Sequence, residues 1–110
     1  PHLLPQNRGI LATIYVKGDL KKIYNTLYMR YENEPFINIM PMNSILSTKH
    51  VRGSNYCNIS VCESSKPGTV IVLSTLDNLI KGSSGQAVQN ANLMFDLDET
   101  LGLTSPPIYP

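Results

Sequence analysis

The spacing of apolar residues in the first third of the chain predicts a strand followed by a helix. Residues 8–16 alternate with apolar side chains on both faces, which is typical of a strand that is central in its sheet. Residues 20–31 then carry apolar side chains at helical spacing. Asp19 is the predicted N-cap, and the helix must end before Pro35, because the residue preceding a proline avoids the helical region.

Three further strands are predicted by short apolar or β-branched runs. Residues 36–40 form a strand that should run parallel to the first, since a helix connects the two. A polar loop over 41–53 leads to an alternating strand at 54–62, whose inner face carries Cys57, Ile59 and Val61. A β-branched strand at 69–76 completes a hairpin with it. The order indicates an α+β domain, a mixed β-sheet with helices packed on one face.

Residues 77–94 are predicted to form a second helix, although Gly82 and Gly85 interrupt it. Each interior glycine costs a helix about 1 kcal/mol relative to alanine. A helical wheel places the apolar core stripe on one side, formed by Ile80, Ser84, Ala87, Val88, Ala91, Met94 and Phe95. The opposite side is smooth and rich in amides, namely Asn78, Gly82, Gly85, Gln89 and Asn92. Such a face fits close approach by a ligand or another backbone, or a packing contact between small residues.

Composition indicates a globular domain with large interfaces. Charged residues make up 15% of the chain, below the roughly 25% of an average soluble domain, which suggests that part of the surface faces other domains or subunits. The net charge of +1 gives no argument for nucleic acid or for a membrane surface. Cys57 and Cys62 lie five apart on one strand and point to opposite faces, so they favour a reduced, cytoplasmic protein. An opening at Pro1 without a leader suggests a piece of a longer protein.

A histidine and three basic residues are the candidates for chemistry. His2 lies between prolines just before a strand and has the side chain most used as a general acid or base, although a surface histidine would look the same. Arg8 could clamp an anion or simply end a strand. Lys49 and Arg52 share a loop with hydroxyls and a glycine, which resembles a phosphate or carboxylate subsite but also an ordinary solvated loop. No metal-ligand spacing is present, so no metal site is predicted.

Three stretches together resemble one family. Residues 1–10 (PHLLPQNRGI), 48–57 (TKHVRGSNYC) and 77–94 (DNLIKGSSGQAVQNANLM, continuing to LDETLGL at 97–103) are similar, in this order, to blocks of N-acetyl-gamma-glutamyl-phosphate reductase. The resemblance implies a C-terminal catalytic and dimerisation domain like that of glyceraldehyde-3-phosphate dehydrogenase. It also implies NADPH-dependent reduction of N-acetylglutamyl phosphate to the semialdehyde in arginine biosynthesis. The nucleophilic cysteine and dinucleotide-binding domain would then lie upstream, and these 110 residues would be inactive alone.

The same resemblance implies roles for particular residues. His2 would be the general acid/base; Arg8, Lys49 and Arg52 would hold anionic substrate groups. Residues 1–76 would belong to the catalytic domain, whereas 77–110 would pack on the nucleotide domain and bring near NADP the residues Gly82, Gly85 and Gln86. We expect a homo-oligomer, and a glycine-amide face that is exposed and mobile or covered by a neighbouring chain. The alternatives are a non-catalytic subunit-association module, or the same chemistry on aspartyl or aminoadipyl phosphate. The location is cytoplasmic, or organellar in a eukaryote.

Overall fold

The computed structural model describes residues 1–108, which form a four-stranded mixed sheet with one helix on its face and a second helix beyond its end. The strands and helices are β1 (Ile10–Lys17), α1 (Leu20–Tyr31), β2 (Ile37–Ile39), β3 (Cys57–Glu63), β4 (Thr69–Leu76) and α2 (Gly85–Met94). A 3₁₀ turn at Thr48–His50 and a π-helical turn at Ile80–Ser84 complete the regular structure. No helix within residues 1–108 is long and apolar enough to cross a bilayer.

The sheet has the order β1-β4-β3-β2 and confirms the predicted α+β class. β4 is antiparallel to both β1 and β3, and β2 is parallel to β3. It follows that β1 and β2 run in the same direction, as predicted, although two strands separate them. The prediction that β1 is central is wrong: β1 lies at an edge, and Tyr15 on it is 69% exposed. Apolar side chains on both faces of a strand also occur where part of that surface is left for a partner.

The core lies between α1 and the sheet. Asp19 caps α1 as predicted, since its Oδ1 accepts a hydrogen bond of 2.9 Å from the Lys22 N–H. The predicted inward stripe of α1 packs on three buried valines of β3 and β4, Val61, Val70 and Val72. Ile59 and Val61 share the face that contacts α1, which confirms the predicted inner face of β3. Full burial of each such aliphatic side chain contributes roughly 1.5–3 kcal/mol.

The predicted polar loop at 41–53 is anchored rather than loose. Leu46 is 7% exposed, and Val51 is completely buried. Two backbone hydrogen bonds tie the beginning of the loop to β3, from the Met40 N–H to the Ile59 carbonyl at 2.8 Å and from the Asn43 N–H to the Val61 carbonyl at 2.9 Å. The loop is therefore held at a fixed position on the sheet.

The predicted second helix begins as a π-helical turn. The N–H groups of Gly82 and Ser84 donate to the carbonyls five residues earlier, at 3.0 and 3.2 Å, and Gly85 N–H donates to the Ile80 carbonyl in the same way. One residue more per turn shifts the helical phase by roughly 100° relative to an α-helix. A helical wheel that assumes the α-helical period throughout residues 77–94 therefore misplaces the residues before the π-helical turn relative to those after it.

The two faces of α2 are reversed relative to the prediction. Gly85 and Asn92, from the amide-rich side, are its buried residues. Val88, Met94 and Phe95, from the predicted core stripe, are 44%, 79% and 74% exposed. The expectation that the glycine-amide face would be exposed or covered by another chain is wrong for its buried members, because residues of the same chain cover them.

The tail returns to the body of the domain after α2. Leu103 is buried, and the extended segment over residues 105–108 reaches the loop before β3, where the Ile108 N–H donates to the Arg52 carbonyl at 2.7 Å. Residues 109 and 110 of the tail lie outside the described residues.

Candidate functional site

A cavity of about 310 Å³ brings together the three basic residues predicted from the sequence. Two loops that are distant in the chain line it, through Pro5, Gln6, Asn7, Arg8, Thr48, Lys49 and Arg52. No acidic side chain occurs among the described residues that line this cavity. The cavity is therefore an electropositive recess with backbone, amide and hydroxyl groups around it.

The first wall is formed by the loop that precedes β1. Arg8 lies two residues before β1, with 31% of its side chain exposed, and its Nη1 is 3.8 Å from Asp77 Oδ2. The next residue is fixed by a side chain from the far end of β4, because the Gly9 N–H donates to Asn78 Oδ1 at 2.8 Å. Asn78 Nδ2 donates in turn to the Asn7 carbonyl at 3.4 Å. One amide thus bonds the backbone on both sides of Arg8.

The second wall is the 3₁₀ turn with the residues after it. Buried Val51 anchors the turn and leaves Lys49 and Arg52 exposed on either side. Gly53 follows with a φ of +77°, a left-handed conformation that favours glycine. Its N–H donates to Asp77 Oδ2 at 2.6 Å, while the carbonyl of the same peptide unit, on Arg52, accepts from the tail.

Asp77 contacts both loops around the cavity and was not selected from the sequence as a site residue. It is fully buried, and its Oδ1 accepts from the N–H groups of Leu79 at 2.8 Å and Ile80 at 3.2 Å. With the Gly53 N–H and the Arg8 guanidinium on Oδ2, this carboxylate has four partners. Burying a carboxylate is costly unless it is paired and hydrogen-bonded, so this arrangement is required for its burial. An aspartate at the junction of a buried strand and a helix was the available signal.

His2 lies outside the cavity lining. It is exposed beside the edge strand. Its backbone N–H donates to the Leu11 carbonyl at 3.1 Å, and the imidazole Nε2 is 2.7 Å from Thr13 Oγ1. The imidazole is therefore held on the sheet, and its catalytic role stays a prediction.

The three residues predicted to approach a cofactor differ in exposure. Gly82 and Gln86 are exposed, and Gln86 Oε1 accepts from Asn90 Nδ2 at 2.9 Å. Gly85 is buried against the side chain of Asn55 and the Ile80 backbone, which gives a packing reason for its glycine. Cofactor contact stays a prediction for all three.

The amide face of α2 binds other parts of the same chain. Gln89 Oε1 accepts from Lys81 Nζ at 2.6 Å and from Asn55 Nδ2 at 3.1 Å, and Gln89 Nε2 donates to Glu99 Oε1 at 2.6 Å. Asn92 Nδ2 donates to the carbonyls of Glu99 and Leu101. The helix therefore connects the loop after the cavity to the tail.

The side chains that line the cavity are of the types that can hold an anion. Arg8 and Arg52 present planar guanidinium groups, which can bond a phosphate or carboxylate through two parallel N–H groups, and Lys49 adds a point charge. The hydroxyl of Thr48 is an additional donor. Within residues 1–108, no group of three or more His, Cys, Asp or Glu side chains is placed to hold a metal ion.

Comparison with known proteins agrees with this fold. A family model described as semialdehyde dehydrogenase, dimerisation domain, matches residues 1–78. The structure of aspartate semialdehyde dehydrogenase II from Vibrio cholerae superposes with a TM-score of 0.59 over 81% of this chain and 27% of that chain. At 17% sequence identity this likeness shows the fold alone.

Similar sequences among curated proteins are reductases. Proteins named N-acetyl-gamma-glutamyl-phosphate reductase from Roseobacter denitrificans and Ruegeria pomeroyi are each 54% identical over all 110 residues. The relative from Jannaschia sp. has the same name and is also 54% identical. The chain spans 32% of the length of each of these relatives. With the family model covering more than half of its residues, the chain belongs to the semialdehyde dehydrogenase dimerisation-domain family.

Proposed function

We propose that this chain forms the anion-binding and subunit-contacting part of an N-acetyl-gamma-glutamyl-phosphate reductase, which reduces an acyl phosphate to a semialdehyde. The convergence of Arg8, Lys49 and Arg52 in one cavity free of acidic lining residues is the observation that carries the proposal. The substrate proposed for this reductase, N-acetylglutamyl 5-phosphate, carries both a phosphate and a carboxylate. Two anionic groups on one small molecule fit two arginines and a lysine better than one group would.

In this proposal the cavity binds and orients, and His2 moves protons. Charge-assisted hydrogen bonds from the three basic side chains fix the anionic groups of the substrate, which orients the acyl carbon for attack. His2 accepts the proton of the attacking thiol, which is expected upstream of these residues, and phosphate leaves as the thioester forms. His2 then returns the proton to the alkoxide that forms when the thioester is reduced. Its hydrogen bond with Thr13 Oγ1 orients the ring before substrate arrives.

Gly82, Gly85 and Gln86 are proposed to lie at the cofactor NADP. Gly82 and Gln86 fit this role because they are exposed on a smooth surface, whereas Gly85 supports the turn from beneath. NADPH, when bound, supplies the hydride. We also propose that residues 77–110 pack on a nucleotide-binding domain and that residues 1–76 belong to the catalytic domain.

A kinetic test separates these roles. In the full-length protein that contains these residues, His2→Ala should lower turnover by roughly 10²–10⁴-fold, the usual contribution of a general acid/base. Arg52→Gln should instead raise KM for the acyl phosphate. Turnover retained in His2→Ala removes that residue from the mechanism. Comparison of N-acetylglutamyl, aspartyl and aminoadipyl phosphates identifies the substrate, and a preference for either of the others contradicts the assignment.

Subunit association is a second proposed function. The exposed β1 residues Ile14 and Tyr15, at 47% and 69%, leave apolar surface on the edge of the sheet, and the family is described as a dimerisation domain. Sedimentation should show a homo-oligomer, and Tyr15→Lys should shift it to smaller species. A monomer at high protein concentration would count against this function. The free thiols Cys57 and Cys62 fit a cytoplasmic location.

A further inference from the structure

We infer that Asp77 and Asn78 are positioning residues that set the spacing between the two loops of the anion-binding cavity. This inference rests on the proposed anion-binding function and concerns two residues that do not line the cavity. The loops, residues 5–9 and 48–53, are distant in the sequence and meet at the cavity. Adjacent side chains at the end of β4 bond both.

Asn78 holds the first loop through its backbone. Its Oδ1 accepts from the Gly9 N–H at 2.8 Å, and its Nδ2 donates to the Asn7 carbonyl at 3.4 Å. Arg8 lies between these two attachment points. These two bonds fix the position of the Arg8 Cα relative to the end of β4, in addition to the pairing of β1 with β4 that follows.

Asp77 joins the same arginine to the second loop. Its Oδ2 lies 3.8 Å from Arg8 Nη1 and accepts the Gly53 N–H at 2.6 Å. The peptide unit between Arg52 and Gly53 is therefore held at its N–H by Asp77 and at its carbonyl by the Ile108 N–H. Because both the N–H and the carbonyl of this peptide unit are hydrogen-bonded, its rotation is restricted. The direction of the Arg52 side chain from the backbone is therefore fixed.

Position and charge make opposite predictions for Asp77. Its negative charge lies near the cavity and, by Coulomb's law alone, opposes anion binding. Removal of the charge should then strengthen binding if electrostatics dominates. If the carboxylate acts by positioning, Asp77→Asn should weaken phosphate binding. Both carboxylate oxygens accept N–H groups, one from Leu79 and Ile80 and the other from Gly53. An asparagine side chain has a single oxygen that can accept, and its NH₂ group only donates.

The experiment is a titration of the full 110-residue chain with inorganic phosphate, followed by ¹H–¹⁵N NMR. Asp77→Asn and Asn78→Ala should each weaken phosphate binding roughly fivefold or more, the scale of one lost hydrogen bond. Asn43→Ala is the matched control, since Asn43 Oδ1 also accepts a backbone N–H at 2.8 Å, from Glu63 on the other side of the domain. It should leave phosphate affinity unchanged even if it lowers thermal stability.

A measurement on the unmodified chain covers the case in which Asp77→Asn does not fold. Phosphate should shift the amide signals of Gly53 and Leu79, which bond Asp77, with the same saturation curve as the signals of Lys49 and Arg52. The Lys22 amide, which bonds Asp19, should not move. Silent Gly53 and Leu79 signals, or unchanged or tighter binding in a folded variant, would overturn the positioning role alone. Absence of phosphate binding to the unmodified chain would overturn the anion site itself, and this inference with it.

Discussion

Replacement of Gly85 by alanine tests whether close packing holds the start of α2. The backbone there has φ −66° and ψ −43°, which any residue adopts, so conformation gives no reason for glycine. Space does. A Cβ on Gly85 would meet Ile80 Cγ2 and the Ile80 carbonyl oxygen, each at 2.8 Å, and would lie closest of all to Asn55 Oδ1.

The magnitude follows from which of these atoms can move. The Ile80 carbonyl accepts the Gly85 N–H in the π-helical turn, and the Asn55 amide is held by Gln89. Overpacking against such fixed neighbours costs about 1–3 kcal/mol, and displacement of Asn55 adds about 1 kcal/mol for its lost hydrogen bond. Alanine returns about 1 kcal/mol through helix propensity. The net expectation is a destabilisation of about 2 kcal/mol, or roughly 8 °C in Tm for a domain of this size.

Gly82→Ala is the internal control, because it lies in the same π-helical turn on an exposed position. Its Cβ would meet Leu76 Cδ1 at 3.3 Å, the end of a flexible side chain, and the Asp77 carbonyl oxygen at 3.5 Å. This variant should be neutral or up to about 1 kcal/mol more stable than the parent. Urea unfolding followed by circular dichroism gives both values. The packing argument is refuted if Gly85→Ala is as stable as the parent, or if the two variants lose the same stability.

Four further substitutions test other parts of the structure. Thr75 is fully buried, and its Oγ1 has no hydrogen-bond partner among the described residues, so Thr75→Val should raise the free energy of unfolding by about 1 kcal/mol in urea titrations. Phe95→Ser, at the exposed residue that follows α2, should change stability by no more than about 0.5 kcal/mol, whereas Val61→Ala in the core should cost about 2 kcal/mol. The Thr100 hydroxyl and then its N–H lower the pKa of Asp98 by hydrogen bonding, so this carboxylate stabilises the fold above its unfolded pKa and stops doing so as the pH falls through the lower folded value. Thr100→Val should therefore raise the Asp98 pKa in an NMR titration, and an unchanged value would contradict this cause.

Elements whose pattern is local were predictable from sequence. The helix at 20–31 and its Asp19 cap, and the strand at 69–76, match the structure at both ends. In each case the stripe or alternation that stabilises the element lies within its own residues. The hairpin of β3 and β4 followed for the same reason.

Properties that depend on what covers a surface were not predictable. The alternation of β1 showed apolar residues on both faces but not that one edge would stay open. The π-helical turn left no trace in the hydrophobic periodicity, because its defining hydrogen bonds, from the N–H groups of Gly82 and Ser84, join backbone groups. The Ser84 hydroxyl adds a bond to the same Leu79 carbonyl at 2.8 Å. The wheel correctly separated the apolar and amide sides of α2 and then assigned burial to the wrong side.

Three of the residues that line the candidate cavity had been selected from the sequence, and their binding role stays a prediction. Arg8, Lys49 and Arg52 were selected from residue type and family resemblance, and the fold brings all three to one cavity. Their convergence could not be derived from sequence, since it depends on how the loop at 48–53 folds back on the residues before β1. Asp77 was missed because the sequence does not distinguish an aspartate that caps a helix from one that bonds two loops.

The amides after β4 and on α2 have one explanation. A helix face that meets water carries glutamate and lysine, whereas a face that meets loops must satisfy both backbone N–H and carbonyl groups without burying a charge. Amides do both: Asn78, just after β4, accepts from the Gly9 N–H and donates to the Asn7 carbonyl. Gln89 on α2 uses the same two functions on side chains, accepting from Lys81 and donating to Glu99. Because a loop backbone offers donors and acceptors together, an amide face beside glycine indicates contact with irregular chain. In this protein Asn78 bonds residues 7 and 9 beside the candidate cavity, whereas the amides of α2 bond Asn55 and the tail.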